Sequence, residues 1–382
     1  MGSPRSLMVK TSVGQIISKD QNIILLRQDA TIEAALKVLA KHHILSAPVV
    51  VPNDGPGSVD ACAPNRCPED IVGFVDIRDI LSSYLAEADL ASMRGMRLLK
   101  RMQVLEESGQ KFASKTLEQL SVLGHDGSFF LENGSGRLSL LELVHDGFLY
   151  PKGAKAMHGG TKARTVGHRV ALYSKEGCIT NIVSQSDVVR FLFEHVDELG
   201  PLADKTVSEL GWAPRPVIHV TPESPAIEVM SMMDERNISA VAVVDKDKKL
   251  LGNFSISDLR AIVAEHFGSM ALPVGEFLAL EHGIEFWGVK ADPPGAPEPP
   301  PEPHPYLKER DLRRTSSAGC KVGQQLITAE AGDTFRDVLQ LLVESRMHRL
   351  YVVTPELEPV GIITLTDVLR QVVEAANQTP DC

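Results

Sequence analysis

The sequence predicts an α/β protein that is built from four tandem modules arranged as two pairs. The first observation behind this prediction is a motif in which a short apolar run leads to an acidic residue that opens an amphipathic stretch. Each copy is typical of a strand, a turn and a helix in succession. Self-similarity at a regular spacing indicates one supersecondary unit per copy. The four copies are Gly73–Asp79, Asn181–Asp187, Gly252–Asp258 and Gly361–Asp367.

A second motif marks the start of each module. It consists of an apolar residue, two or three small or polar residues and a second apolar residue. Because both motifs recur in the same order, each copy is a whole unit. The four start motifs are Val13–Ile16, Thr116–Leu120, Thr206–Leu210 and Val322–Leu326.

The segment between the two motifs predicts a helix followed by a strand. Apolar residues recur every three or four positions, as at Ile32, Leu36 and Leu39 in the first copy, which is helical spacing. A β-rich run such as Ala47–Val51 or Leu350–Val353 follows. The predicted order in each unit is therefore helix, strand, strand, helix, which makes a small α/β module.

We expect the modules at residues 11–86, 115–199, 204–268 and 318–377. Residues 87–114 form a basic amphipathic connecting segment, interpreted as a helix that packs across the first two modules. Residues 269–317 form a Pro-rich linker whose prolines exclude helix and sheet interior. Ser316 follows two arginines in this linker and is a candidate phosphorylation site.

Composition indicates the class of protein. A formal charge of -11 argues against nucleic acid as a partner, since phosphate backbones require a broad basic surface. Five scattered cysteines favour reduced thiols in the cytoplasm or nucleus. Cys62 and Cys67 share a loop without a histidine or a second cysteine pair, so no metal site is expected. We expect no stable membrane insertion, although Gly2 fits the short pattern for N-myristoylation.

The repeated residues resemble the CBS domain. Four copies in one chain resemble the γ regulatory subunit of the AMP-activated and sucrose-non-fermenting-type protein kinases. The most specific part of the resemblance is a His-Arg pair before a strand, found at His348-Arg349 and again at His168-Arg169. The other two copies lack the pair, and alignment of the repeats places Leu45 and Ser239 at the arginine position. The resemblance implies two CBS pairs (Bateman pairs) in a pseudo-symmetric disc around a central channel, with a catalytic α and a scaffold β subunit as partners.

The acid of the repeated motif has two possible roles. With the hydroxyl residue three positions earlier it fits a helix capping box. The resemblance implies instead that the carboxylate accepts hydrogen bonds from ribose hydroxyls, which are suitable donors for it. The candidate ribose ligands are Asp79, Asp187, Asp258 and Asp367, and the adjacent hydroxyls are Ser184, Ser255 and Thr364.

The resemblance further implies that the cationic pairs bind phosphate. A guanidinium makes bidentate contacts to phosphate, and an imidazole adds a donor near neutral pH. The candidates are His168, Arg169, His348 and Arg349, and Lys162 and Arg164 would add to their field. The first copy has Asp76 where the others carry Ser or Thr, which argues against phosphate binding there.

No catalytic motif is present in the sequence. A phosphate-cradling glycine loop and a kinase signature set are both missing, so we expect neither catalytic residues nor a catalytic cofactor. The expected function is a nucleotide-sensing regulatory subunit that binds AMP, ADP and ATP. Two alternatives stay open: a regulator of another enzyme that binds an adenosyl ligand, and a scaffold that has lost its ligand.

Overall fold

Four small sheets, each with helices beside it, follow one another along the chain. A computed structural model describes residues 3–18, 21–51, 62–63, 71–120, 130–132, 138–151, 166–174, 179–260, 262–282 and 326–378. Each sheet has a central strand that pairs in parallel with a short preceding strand and antiparallel with the following one. The short first strand was not predicted, and the unit order is strand, helix, strand, strand, helix.

The first half of the chain holds repeats one and two after an N-terminal helix, α1 (Pro4–Lys10). Repeat one consists of β1 (Leu25–Arg27), α2 (Ile32–Lys41), β2 (Ser46–Val50), β3 (Cys62–Ala63), β4 (Ile71–Asp76) and α3 (Ile77–Glu87), and α4 (Leu98–Ala113) follows it. Repeat two consists of β5 (Phe130–Glu132), α5 (Leu140–Glu142) continuing as a π-helix (Leu143–Leu149), β6 (Arg169–Tyr173), β7 (Ile179–Ser184) and α6 (Gln185–Glu194).

The second half holds repeats three and four. Repeat three consists of β8 (His219–Val220), α7 (Ala226–Glu235), β9 (Ala240–Val244), β10 (Leu250–Ser255) and two 3-10 helices, Ile256–Leu259 and Ala264–Ala271. Helix α8 (Val274–His282) follows. Repeat four consists of β11 (Thr328–Ala329), α9 (Phe335–Ser345), β12 (Arg349–Val353), β13 (Pro359–Thr364) and α10 (Leu365–Gln378).

Contacts between sheets join repeat one to repeat two, and repeat three to repeat four. Ile23, Leu25 and Val50 of repeat one pack against Ile179 and Ile182 of repeat two. In the second pair, the cluster that joins the sheets is Ala242, Val244, Leu250, Tyr351 and Val353. Apolar faces of small sheets require such a cover. The prediction of two pairs of α/β modules is thereby confirmed.

Helices join the repeats across the pairs. One buried core combines the helices of repeats one and three, with Ile80, Tyr84, Met230 and Phe267 among its members. A second core combines repeats two and four with α1, and includes Met8, Leu192 and Leu369. Each repeat thus contacts one neighbour through its sheet and another through its helices. The four close into a ring in the order one, two, four, three.

Helix α4 packs across repeats one and three, rather than across repeats one and two as predicted. Its Phe112 ring lies 5.4 Å from that of Tyr84, which in turn lies 4.8 Å from the ring of Phe267 in repeat three. Gly109 is in direct contact with Phe267, where a Cβ would lie 2.3 Å from the ring. The interpretation from sequence had no information about which repeat the apolar face would meet.

The structure also differs from the prediction that residues 269–317 form a linker, because the start segment of repeat four lies at the beginning of this range. In three places, a start segment accepts a backbone hydrogen bond from the first helix of its pair partner: Leu140 to Thr11 (2.9 Å), Ile32 to Lys115 (2.8 Å) and Phe335 to Lys205 (2.8 Å). The fourth such bond is from Ala226 to Leu272 (2.8 Å).

The segment after Leu272 is therefore part of the folded body. Val274, Phe277 and Leu278 are buried in the core of repeats one and three. These apolar side chains are the reason that the chain continues as α8 instead of leaving as a linker. Of the predicted start motif Val322–Leu326, all but Leu326 lies outside the described residues.

Candidate functional site

The helix that ends each repeat begins beside the start of the central strand. The last residue of the hairpin lies opposite the first residue of that strand in all four copies. The pairs are Ser46 with Asp76, Arg169 with Ser184, Ala240 with Ser255, and Arg349 with Thr364. This register brings strand-start side chains and helix N-termini together in every repeat.

The register corrects the alignment of repeats one and three by one residue. Ser46 and Ala240 occupy the arginine position, whereas Leu45 and Ser239 occupy the histidine position. The backbone confirms this, because the carbonyl before each strand accepts a hydrogen bond from the first helical residue. Those bonds run from Ile77 to Leu45 (2.9 Å), Gln185 to His168 (3.1 Å), Ile256 to Ser239 (3.1 Å) and Leu365 to His348 (3.3 Å).

A cavity of about 610 Å³ lies where the four repeats meet. Strand starts and helix N-termini from all four repeats line it, as the ring arrangement requires. Four of the predicted phosphate ligands and two of the predicted hydroxyls are therefore close to one another. The polar lining residues include Ser46, Asp76, His168, Arg169, Ser184, Ser239, His348, Arg349 and Thr364.

The two arginines of the predicted pairs reach across to the neighbouring repeat. Arg169 donates from Nη1 to Ser46 Oγ (3.2 Å), and Arg349 donates from Nη2 to Ser239 Oγ (3.4 Å). Burial lowers the pKa of both guanidiniums, and Asp76 opposes this effect at Arg169. A serine hydroxyl is a weak partner for a buried charge. Both arginines thus keep a strong tendency to bind an anion.

The two histidines of the predicted pairs differ in environment. Burial, together with the charges of Arg169, Arg349 and Arg260, lowers the pKa of His348 to about 4. Near neutral pH its imidazole is therefore uncharged and has one donor and one acceptor nitrogen. His168 is exposed, although it too lines the cavity. The repeat-four pair is thus the more deeply placed of the two.

Arg260 belongs to this charged group and was missed in the sequence. It follows the first 3-10 helix of repeat three, two residues after Asp258. Its charge lowers the pKa of both His348 and Arg169, and burial lowers its own pKa against the opposing effect of Asp258. A signal was available, because the other repeats carry an apolar residue here: Leu81, Val189 and Leu369.

The four predicted ribose carboxylates all take part in capping boxes, so the capping interpretation is confirmed. Asp187, Asp258 and Asp367 accept from the backbone nitrogen three positions earlier at 2.9, 2.7 and 2.9 Å, and from its hydroxyl at 2.7, 3.0 and 2.6 Å. In repeat one, Asp76 donates from its backbone nitrogen to Asp79 (2.9 Å). These hydrogen bonds use the Oδ2 atom in each case.

The carboxylates do not themselves line the cavity. They lie one hydrogen bond behind it, through Ser184 in repeat two and Thr364 in repeat four. Ser255 is buried and is not a lining residue. The Oδ1 atom of Asp367 lies 3.9 Å from both Arg215 and Arg370, and that of Asp187 lies 3.7 Å from Arg190. Repeats two and four therefore have the most similar sites.

Several predicted features lie outside the described residues: Gly2, Cys67, Lys162, Arg164 and Ser316. Within the part of the chain that the structure describes, no three His, Cys, Asp or Glu side chains cluster as metal ligands would. The described helices include none with the length and apolar character needed to span a bilayer.

Comparisons with known proteins agree with this architecture. The CBS domain family model matches residues 207–265 and 322–374. The SNF1-related protein kinase regulatory subunit gamma-1 of Arabidopsis thaliana is 21% identical over 94% of this chain and 80% of its own length. Protein SDS23 of Meyerozyma guilliermondii is 23% identical over 64% of this chain. The chain spans 44% of the length of that SDS23 protein.

A solved structure has the same fold along almost the whole chain. It is a protein of Methanocaldococcus jannaschii described as a proposed archaeal homologue of g-AMPK, with a TM-score of 0.56 and 17% identity. The match covers 94% of this chain and 99% of that one. The chain thus contains CBS domains at residues 207–265 and 322–374 and is similar along most of its length to an SNF1-related protein kinase regulatory subunit gamma.

Proposed function

We propose that this protein is the adenine-nucleotide-sensing γ-type subunit of a heterotrimeric Ser/Thr protein kinase. It binds AMP, ADP or ATP between its repeats and assembles with a catalytic α and a scaffold β subunit. The observation that carries the proposal is the cavity shared by four repeats, into which the His-Arg pairs of repeats two and four converge. The homology to a kinase regulatory subunit supports the choice of partner.

The geometry suits the two chemically different ends of a nucleotide. Arg169 and Arg349 are half-buried cations whose side chains donate to neutral hydroxyls, so phosphate oxygens would be better acceptors for them. The carboxylates of Asp187 and Asp367 lie directly behind cavity hydroxyls. Because their capping bonds use Oδ2, Oδ1 is the atom that would accept from ribose, after displacing nearby arginines.

Regulation follows from the way the cavity is built. A ligand that bridges Arg169 and Arg349 contacts repeats from both sheet pairs. It can favour one arrangement of the ring only if it binds that arrangement more tightly than another. The nucleotide would thereby change the surface offered to the kinase subunits.

Calorimetry with AMP, ATP and S-adenosylmethionine tests the proposal. We expect Arg349→Ala to weaken binding of AMP and ATP by at least about tenfold, because a charge-assisted phosphate contact is lost. Arg336→Ala is the matched control: it removes a positive charge from the same repeat at an exposed ion pair with Asp197. Absence of binding in the wild-type protein, or equal affinity in both variants, would contradict the proposal.

The ribose role needs a variant that preserves the helix cap. Asp367→Asn keeps an oxygen that can accept from Thr364 and removes the negative charge. We expect it to weaken the binding of AMP and ATP while thermal unfolding changes little. If Asp367 has only a capping role, affinity will instead be unchanged.

The similarity to SDS23 favours a second candidate function, a CBS regulator that acts outside a kinase complex. Co-expression with the α and β subunits of an SNF1-related kinase distinguishes the two. A stable three-subunit complex supports the γ-type role. Nucleotide binding without complex formation supports the second candidate.

A further inference from the structure

Each repeat presents the residue just before its motif acid to the central cavity. In three repeats this residue carries a small hydroxyl, whereas repeat one carries an arginine. The four equivalent residues, all of which line the cavity, are Arg78, Ser186, Ser257 and Thr366. Repeat one therefore brings a cation to the cavity wall through the first turn of α3, although its strand start has Ser46 in place of an arginine.

The stability of α3 does not account for this arginine. A positive charge in the first turn of a helix interacts unfavourably with the helix dipole, and α6 and α10 form with a hydroxyl residue at the same place. The Arg78 side chain reaches across to repeat three, where its Nη2 atom donates to Asn237 Oδ1 (2.7 Å). Because Asn237 also lines the cavity, this hydrogen bond keeps the guanidinium at the cavity wall.

Three arginines line the cavity, and each spans a different joint of the ring. Arg169 joins repeat two to repeat one, and Arg349 joins repeat four to repeat three. Arg78 joins repeat one to repeat three. Cations from three repeats therefore face the same space, and each of them is held by a neutral side chain of a neighbouring repeat.

The acidic residue of repeat one does not cancel this charge. Asp76 is the one carboxylate among the described lining residues. Its Oδ1 atom accepts from the backbone nitrogen of Asp79 (3.0 Å) as a helix cap, and its charge favours the protonated form of Arg169. The expectation that repeat one takes no part in phosphate binding was based on Asp76. Arg78, two residues later, supplies the opposite charge to the same cavity.

We infer that Arg78 makes repeat one part of the phosphate-binding site, and that the three arginines together recognise a polyphosphate chain. This inference rests on the proposed nucleotide-binding function and adds a binding residue to it. A guanidinium binds phosphate oxygens in bidentate fashion, and a triphosphate offers more of these oxygens and more negative charge than a monophosphate does. A third guanidinium therefore adds more to the affinity for a triphosphate than to that for a monophosphate.

Calorimetry with inorganic tripolyphosphate, ATP and AMP, at low salt and without divalent metal, tests the inference. We expect Arg78→Thr, which introduces the residue of repeat four, to weaken the binding of tripolyphosphate and ATP about tenfold and that of AMP less than about twofold. Lys41→Thr is the matched control, since it removes an exposed positive charge at the end of α2 in the same repeat. Arg78→Lys should keep part of the affinity, because it keeps the charge but not the bidentate geometry.

A further variant separates phosphate recognition from the contact between repeats one and three. Asn237→Gly removes the acceptor of Arg78 and leaves the guanidinium in place, and glycine tolerates the positive φ of 54° at this position. We expect this variant to bind tripolyphosphate at least as tightly as the wild-type protein, because the amide no longer competes for the guanidinium. If Asn237→Gly weakens binding as much as Arg78→Thr does, the contact between repeats is responsible and the inference is wrong.

The outcomes separate this inference from the proposed function. A wild-type protein that binds ATP, with equal ATP affinities in Arg78→Thr and Lys41→Thr, overturns the inference and leaves the nucleotide sensor intact. Binding of tripolyphosphate that Arg78→Thr weakens, without binding of either nucleotide, supports the role of Arg78 and overturns the nucleotide sensor. A wild-type protein that binds none of the three probes overturns both. Thermal unfolding shows whether each variant is folded, and Arg78→Lys tests the guanidinium if Arg78→Thr is unstable.

Discussion

His348 shows how the central cavity alters the chemistry of a single side chain. Burial removes the water that would stabilise the protonated form of its imidazole, and the charges of three arginines, Arg169, Arg349 and Arg260, oppose protonation further. The pKa is lowered to about 4, from an ordinary value of 6.5. The side chain is thus kept neutral in a place where an additional charge would increase repulsion.

This neutral state makes stability depend on pH. The unfolded chain takes up a proton at His348 below pH 6.5, whereas the folded chain does so only near pH 4. Stability should therefore fall as the pH decreases through this window, by about 2 kcal/mol between pH 7 and pH 5. Urea denaturation at both pH values measures the loss, and His348→Gln should lose correspondingly less. Equal losses in the two proteins would show that His348 does not titrate as described.

At the scale of elements, the contact between α4 and the 3-10 helix at Ala264–Ala271 joins repeats one and three. A glycine allows the close approach, since a Cβ on Gly109 would lie 2.3 Å from Cδ2 and 2.6 Å from Cβ of Phe267. Phe267 is itself fixed by edge contact with Tyr84. The interface has no room to adjust without moving the aromatic cluster.

Gly109→Val is therefore expected to destabilise the protein by about 1–3 kcal/mol through overpacking. Valine also lacks the helix-propensity gain that alanine would bring. Chemical denaturation measures the effect, and Gly332→Val is the control, because a Cβ there has nothing within 4 Å. A Gly109→Val protein as stable as the control would show that α4 can shift away from Phe267.

The strongly patterned elements could be predicted from the sequence. Helix α9, with Val338 and Leu342 on one face, and the hairpin ending at Thr364 follow from periodicity and the repeated motif. The first strand of each sheet has only two or three described residues, as at Thr328–Ala329, which is too short to show a pattern. Such strands exist because the neighbouring strand supplies their hydrogen bonds.

The sequence indicated which residues would form the site better than it indicated how those residues would lie relative to one another. The family resemblance predicts the role of the His-Arg pairs, whereas their convergence depends on contacts between repeats that no local pattern encodes. Arg260 was missed because a comparison of the repeats highlights the residues that they have in common, and this arginine occurs at its position in repeat three alone. Val274-Gly275 resembles Val13-Gly14 and could have indicated the true place of the fourth start segment. The same residue pair at Val322-Gly323 places the predicted fourth start motif after the Pro-rich stretch instead.

At the scale of the whole molecule, the ring makes each repeat depend on two neighbours. Sheet contacts hold repeats one and two together, but the helix faces of both are covered by repeats three and four. Separating the halves would expose buried side chains such as Phe267, Leu192 and Leu369. Folding should therefore be a property of the complete ring.

We expect residues 1–203 expressed alone to lack a cooperative unfolding transition, because half of each helix core is missing. Co-expression with residues 204–382 should restore one. Calorimetric unfolding of the separate and combined halves checks this. An isolated half with a sharp transition of its own would show that the sheet pair is sufficient as a folding unit.

The position of α8 changes the meaning of the Pro-rich stretch that follows it. Because α8 and β11 both belong to the folded body, residues 283–325 connect two parts of that body. A stretch connected in this way cannot set how far apart repeats three and four move, since those repeats are already joined by their sheets. Evolution is thus free to lengthen or rewrite this stretch without altering the ring that encloses the cavity.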